Sequence, residues 1–265
     1  MDGIRTVAVD DASILILEEV TQEIREALNE RIIEYCYGRV NAAEDPEYYS
    51  LETTIKEFFK LYDTKSDETR LGIAGELIVH LLLPIGHERL MSAALYLNKE
   101  ESAIKKGFDL TFYDNLDGGI WYGEVKAGRV NDVQTADSKA RDLIGVAERS
   151  LHEMFTSDVR KKRWDAAQLD AAATLQSKQA KTVKSLLRAD FKTINAGNDA
   201  RVRALLCGVV MHGLHFGEID AETGKILFEN VTDRGRFTGV RILLIQQSDL
   251  EDLVEVLRAS IGAAV

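Results

Sequence analysis

The sequence predicts an α/β protein in which a mixed central sheet is flanked by helices on both sides. Three observations predict it. Apolar spacing of helical period fills the N-terminal third, two alternating runs follow near residues 108–127, and helical spacing then returns before further apolar runs of strand length from Leu205 onward. With 265 residues and 45% hydrophobic content, the chain is long enough for one good-sized core, so a single domain over 1–265 is expected. Its parts are an acidic helical N-terminal region (1–65), a core that carries the chemistry described below (66–156), a basic helical segment inserted before the return strand (157–203), and return strands with a closing helix (204–265).

Taken in order, the stretch from about Ser13 to Tyr37 places Ile14, Leu17, Val20, Ile24, Leu28, Ile32 and Tyr35 at mixed three and four spacing, with glutamates on the other faces, and predicts an amphipathic helix. Asn41 to Glu47, with Pro46, predicts a loop. Ser50 is placed to cap a second helix through Ile55, Phe58, Phe59 and Tyr62, and a third helix is expected from near Asp67 to just before Pro84. The run from Leu90 to Leu97 has no clear period.

Phe108, Leu110 and Phe112 then alternate with Asp109, Thr111 and Tyr113, and the turn Asp114 to Gly119 leads into a second alternating run, Trp121 to Ala127. Together they predict a β-hairpin. Val133 to Phe155 returns to helical spacing. Leu205 to Met211, Ile226 to Glu229 and Val240 to Ile245 are expected as strands, and Ser248 to Ala259 as a closing helix.

Cys36 and Cys207 are too few and too far apart for a disulfide framework or a zinc knuckle and predict small core residues in a reducing compartment. No apolar run reaches the roughly 20 residues of a membrane span, and the first residues lack a signal-peptide layout, so a soluble cytoplasmic protein with no membrane association is expected. The net charge of −11 argues against a strong stand-alone nucleic-acid binder, because affinity for phosphate backbones comes from Lys and Arg. The charge is uneven. Residues 1–60 carry 6 basic and 14 acidic side chains, whereas residues 158–203 carry 11 basic and 5 acidic, a net +6.

The chemistry concentrates on the hairpin. Residues two apart in a strand share a face, so Glu124 and Lys126 project together while Gly123, Val125 and Ala127 face the other way. With Phe108, Leu110 and Phe112 taken as core-facing, Asp109 lies on the opposite face and, across the hairpin, within reach of Glu124. Two carboxylates, with the backbone carbonyl between them, make a partial shell for a hard divalent ion such as Mg²⁺ (or Mn²⁺). Such an ion lowers the pKa of bound water and polarises a phosphate, and an adjacent Lys stabilises the developing charge. On the preceding helix Ile73, Leu77 and Leu81 form a core stripe, while Gly72, Glu76 and His80 lie along another line, so Glu76 is a partly buried acid that needs a partner.

The order Gly75-Glu76-Leu77 on a helix, Gly107-Phe108-Asp109, then Gly123-Glu124-Val125-Lys126 followed by a helix resembles the PD-(D/E)xK nuclease superfamily, with Gly-Phe-Asp in place of Pro-Asp and 14 residues between Asp109 and Glu124. More narrowly, Arg70 to Leu83, the step from Lys106 to Asp109 and the Trp121 to Lys126 strand resemble the HamA family, the nuclease subunits of the Hachiman anti-phage defence system, over residues 66–156. The resemblance implies a restriction-endonuclease-like core and a bacterial deoxyribonuclease that uses Mg²⁺ or Mn²⁺, with Glu76, Asp109 and Glu124 as ligands and Lys126 assisting. It also implies DNA as substrate and a superfamily 2 helicase partner (HamB-like) that restrains cleavage until DNA is sensed.

Other residues admit a functional and a plain reading. Lys139 and Arg141, on the helix after the E-x-K strand, touch substrate phosphate or form a solvated face. Arg160, Lys161, Lys162 and Arg163, with Lys178, Lys181, Lys184, Arg188 and Lys192, form a DNA-facing arm or a basic surface docking on an acidic partner. The stripe of this arm is thin. Trp164 reads as a helix anchor, His80 as a core histidine, and His212 with His215 as a strand-end pair because no third spaced ligand accompanies them. Two rivals to the defence nuclease remain: a restriction or repair nuclease acting without a helicase, and a non-catalytic adaptor that keeps the fold. No GxxxxGK[ST] loop occurs, so any energy coupling comes from a partner.

Overall fold

The computed structural model describes residues 1–86, 89–95, 97–98, 103–104, 108–156, 160–196, 202–248 and 250–262. In chain order the elements are β1 (Ile4–Val9), β2 (Ala12–Leu17), α1 (Gln22–Tyr37), α2 (Arg39–Glu44), α3 (Leu51–Tyr62), α4 (Asp67–Gly86), β3 (Leu90–Ser92), β4 (Leu97–Asn98), β5 (Ala103–Ile104), β6 (Leu110–Asp114), β7 (Ile120–Arg129), α5 (Ala136–Thr156), α6 (Arg160–Thr174), α7 (Ser177–Asn195), β8 (Arg203–Met211), α8 (Ala221–Asp233), β9 (Gly239–Gln247) and α9 (Leu250–Gly262). Seven strands form one mixed sheet in the order β1-β2-β9-β8-β7-β6-β3, and β4 pairs with β5 in a separate ribbon. β2, β9, β8 and β7 run parallel to one another, whereas β1, β6 and β3 join as antiparallel edges.

The parallel strands β8 and β9 are buried almost end to end, as expected where helices cover both faces of a sheet. One face carries Val125, Leu205, Cys207, Val209, Leu243 and Ile245 under α1, α3, α4 and α9; the other carries Tyr122, Leu206, Val210, Ile242 and Leu244 under α5, α6, α7 and α8. Gly75 sets the fit of α4 on β7, since a Cβ there would lie 2.6 Å from that of Ala127.

The N-terminal expectation is corrected. Ser13 to Leu17 is not the start of a helix but strand β2, which pairs with β9, and the helix begins only at Gln22. Ile14, Leu15, Ile16 and Leu17 are all buried, so the run is apolar on both faces, the signature of a covered strand. A two-residue turn at Asp10 and Asp11, with Asp10 at φ 52°, folds β1 back onto β2. The strand expected at Ile226 to Glu229 is likewise corrected to part of helix α8. Asp220 caps that helix by accepting from the Thr223 N–H at 2.6 Å, and Thr223, Leu227 and Val231 form its buried stripe.

The second helix is capped by Ser50 as expected, its side chain accepting from the Thr53 N–H at 3.3 Å. The third runs slightly farther, with Pro84 inside its last turn. The hairpin, the helix after it, the strand from Leu205 and the strand through Val240 to Ile245 all form. The basic segment is two helices, and its stripe is fuller than expected: Ala180, Val183, Leu187 and Ile194 of α7 are buried, as is Trp164 of α6. Both cysteines are buried and free.

Candidate active site

The hairpin register sets the site. Leu110 pairs with Gly123, and Gly123 has no side chain because the Leu110 side chain occupies its place, 2.6 Å from where a Cβ would stand. One residue earlier the chain bends at Asp109, outside the strand. The Val125 N–H therefore finds the Asp109 carboxylate, Oδ2 at 3.0 Å, instead of continuing the ladder. The bend also changes the expected alternation. Phe108 is not on the face of Leu110 and Phe112 but in the opposite cluster, its ring 4.9 Å from Tyr122 and 5.3 Å from Trp164.

Glu124 and Lys126 do share a face, as the strand period requires, yet that face is covered by α5 and Glu124 is only 1% exposed. Its Oε1 accepts from Lys126 Nζ at 2.6 Å and from Ser150 Oγ of α5, also at 2.6 Å. Its Oε2 is buried and, among the described residues, its one polar neighbour is the Asp109 carboxyl, which bonds it only when protonated. Leaving a carboxylate oxygen buried and unpaired is costly, so this atom is where a cation would be received.

The titration behaviour follows from the crowding. Burial, then repulsion from Glu124, pushes the Asp109 carboxyl up to about 7, against the Val125 N–H and the Lys126 charge, which favour the anion. Burial by itself would lower the Lys126 pKa, but attraction and hydrogen bonding to Glu124, then Asp109 and Glu76, outweigh it and hold the ammonium raised. The Cys207 thiol on neighbouring β8 is pushed well up by burial and by the same two carboxylates, so it stays neutral.

Asp109, Glu124 and Lys126 are thus brought together. Glu76, half-buried on α4, is near enough to act on Lys126, but among the described residues no group of three His, Cys, Asp or Glu side chains is gathered as a ready ligand set. The donors in place are the Asp109 and Glu124 carboxylates. Two hard oxygen donors, one with an open buried atom, suit Mg²⁺ or Mn²⁺ rather than a soft ion.

Lys139 and Arg141 separate. Lys139 lies over Gly128, where a Cβ would come within 2.5 Å of its Cε and 3.0 Å of its Nζ. Gly128 follows Lys126 by two on the same strand face, so Lys139 extends the line of Glu124 and Lys126. Arg141 turns away and donates from Nη2 to Thr223 Oγ1 of α8 at 3.0 Å. On the arm, Lys161 and Lys162 are exposed and Arg163 is half-buried, while the side chain of Arg160, and Lys106 and Gly107 before Asp109, lie outside the described residues. Trp164 is an anchor in the aromatic cluster with Phe108, Tyr122 and Phe155. His80 packs on Tyr35 and Phe112, and His212 and His215 both pack on Phe216.

Sequence reasoning missed Ser150 and the pair Tyr122–Asp190, in which the tyrosine donates to the α7 carboxylate at 2.7 Å and ties the basic arm to the site strand. Ser150 lies 26 residues beyond Glu124 and carries no motif. The only signal available was that it falls on the face of the predicted helix near Ala147 and Leu151.

A family model described as HamA matches residues 4–261, and no curated protein matches the chain. The match spans nearly the whole sequence, so the chain belongs to the HamA family. Membership suggests a Hachiman-type defence protein. Among the described residues no helix is long and apolar enough to cross a membrane.

Proposed function

We propose that this HamA-family chain is a metal-dependent deoxyribonuclease with a PD-(D/E)xK centre, the effector of an anti-phage defence system held in check by a partner helicase. The observation that carries the reading is the buried Glu124 Oε2, unanswered by any cation, beside Asp109, with Lys126 on the same strand face. Mg²⁺ or Mn²⁺, held by Asp109 and Glu124, supplies a Lewis acid for the phosphate and an acidified water.

The chain's own residues do the rest. The Val125 N–H fixes Asp109, and Ser150 with Lys126 holds Glu124 Oε1, which leaves Oε2 beside the Asp109 carboxyl. Lys126 neutralises Glu124 before substrate arrives and is in place to meet the negative charge that develops on the phosphate during hydrolysis. Glu124 first, then Asp109 and last Glu76 keep that ammonium charged, and Lys139 offers a second cation for a neighbouring phosphate. The acidic balance of the chain supports delivery of DNA by a partner over capture by the chain alone.

The test incubates the purified chain, with and without a candidate partner helicase, with plasmid and linear DNA and Mg²⁺. Cleavage that disappears in Lys126→Ala and Asp109→Ala is expected. Intact DNA in every arm, with the partner present and activated, would remove the nuclease reading and leave the adaptor. Cleavage at full rate without any partner would favour the stand-alone nuclease.

A further inference from the structure

A cavity of about 260 Å³ lies between α1, α4, β3 and β6, apart from the carboxylates. Its walls include the rings of Tyr35, His80 and Phe112, with Tyr35 and His80 centroids 4.3 Å apart and His80 and Phe112 6.1 Å apart. Leu77 and Leu81 add apolar surface, and Arg31 lines it as well.

Arg31 is the unusual member. It is half-buried, and it has no hydrogen-bond or ion-pair partner among the described residues. This is notable in a stretch of 60 residues with 14 acids; Arg39, on the same cavity, does pair with Glu34 at 3.1 Å. Its planar guanidinium fork, with no carboxylate paired to it among the described residues, suits phosphate. Rings set at an angle to one another offer a surface for a flat aromatic body. The volume is near the lower end of small-ligand sites, roughly 300 Å³, which fits one ring system with a short polar attachment.

His80 follows Glu76 by one turn on the same line of α4, an advance of about 6 Å, but the cavity lies on the sheet face under α1 and α4, whereas Glu124 and Lys126 lie on the face under α5.

We propose that this cavity is a nucleotide subsite, with the base against Tyr35, His80 and Phe112 and the phosphate on Arg31. The nucleotide is either free in solution or part of a DNA strand. The strand-borne source rests on the nuclease reading, whereas the free one does not.

Calorimetry on the full chain compares AMP and dTMP with adenosine and inorganic phosphate, in wild type, Arg31→Gln and Arg31→Lys. In parallel, a single-stranded oligonucleotide carrying 5-iododeoxyuridine is photocrosslinked in Ca²⁺, and the attached peptides are mapped. A free-nucleotide site predicts AMP or dTMP binding more tightly than either half alone, and at least tenfold weaker in Arg31→Gln than in Arg31→Lys. A strand subsite predicts crosslinks at Tyr35 or His80 that fall at least tenfold in Arg31→Gln, with weak mononucleotide binding. Absence of both signals, or equal signals in wild type and Arg31→Gln at unchanged Tm, overturns the proposal. Cleavage controls with Lys126→Ala keep the two ideas apart. Cavity binding without any cleavage retains the subsite and removes the nuclease, and Lys126-dependent cleavage without cavity binding does the reverse.

Discussion

Two buried glutamates, 24 residues apart in sequence, behave differently. Glu148 on α5 is fully buried, yet Arg234 and Arg236 beyond α8 reach its Oε2 and Oε1, so both oxygens are answered. Glu124 on β7 is as deeply buried, but Lys126 and Ser150 both address Oε1, and among the described residues Oε2 is left with no cation or fixed donor, only the Asp109 carboxyl. Burial of an acid is common to both. What separates them is completeness: Glu148 closes a structural ion pair between elements, and Glu124 keeps one oxygen unanswered by any cation next to a second carboxylate.

The comparison can be broken most sharply at Lys126. Lys126→Ala is expected to reduce DNA cleavage by about a thousandfold, the order of a lost transition-state charge contact, with the protein still folded by circular dichroism. A loss below tenfold would place Lys126 with the structural ion pairs. At the other glutamate, the double change Arg234→Ala and Arg236→Ala leaves a buried carboxylate unanswered and should cost about 2–3 kcal/mol in urea unfolding, discounted for the partly exposed arginines, with Mn²⁺ binding unchanged. Lost metal binding there would show that the two glutamates are not separate in role.

A smaller effect sharpens the orientation of Glu124. Ser150→Ala should weaken Mn²⁺ binding by about tenfold, as removal of a group that orients a ligand does, while Ser150→Thr restores much of it; calorimetry reads both. The smallest effect is on pH. Asp109 has a folded pKa near 7, above its unfolded value of 3.8. The metal-free fold then binds more protons than the unfolded chain between those values, so stability falls as pH rises from about 4 to 7. Tm of metal-free protein should drop by a few degrees across that window, Asp109→Asn should flatten the drop, and Mn²⁺ should recover it above pH 7. A pH-independent difference between wild type and Asp109→Asn would mean the carboxyl is not raised.

How much of this was legible in the sequence follows from the range of each interaction. The period of two placed Glu124 beside Lys126, and the hairpin turn placed Asp109 opposite them, because both are set within about 15 residues. The same local reasoning failed at Ser13 to Leu17 and at Ile226 to Glu229. A covered strand and a helix both show continuous apolar residues over so short a run, and only the neighbour, β9 for the first and the Asp220 cap with its stripe for the second, decides between them. Phe108 failed for a related reason: the bend at Asp109 interrupts the period that was used to place it.

The sequence by itself determined the α/β class, the residues of the hairpin site and the uneven charge, since these depend on periodicity and composition. Only the tertiary structure decided that the Glu124 face is covered by α5, that Ser150 shares one oxygen with Lys126, that Glu148 is satisfied and Glu124 is not, and that Arg31 lines a cavity with no ion-pair partner among the described residues. Whether a polar atom is paired depends on which distant element packs over it, and that is a property of the assembled layers, not of any local run of residues.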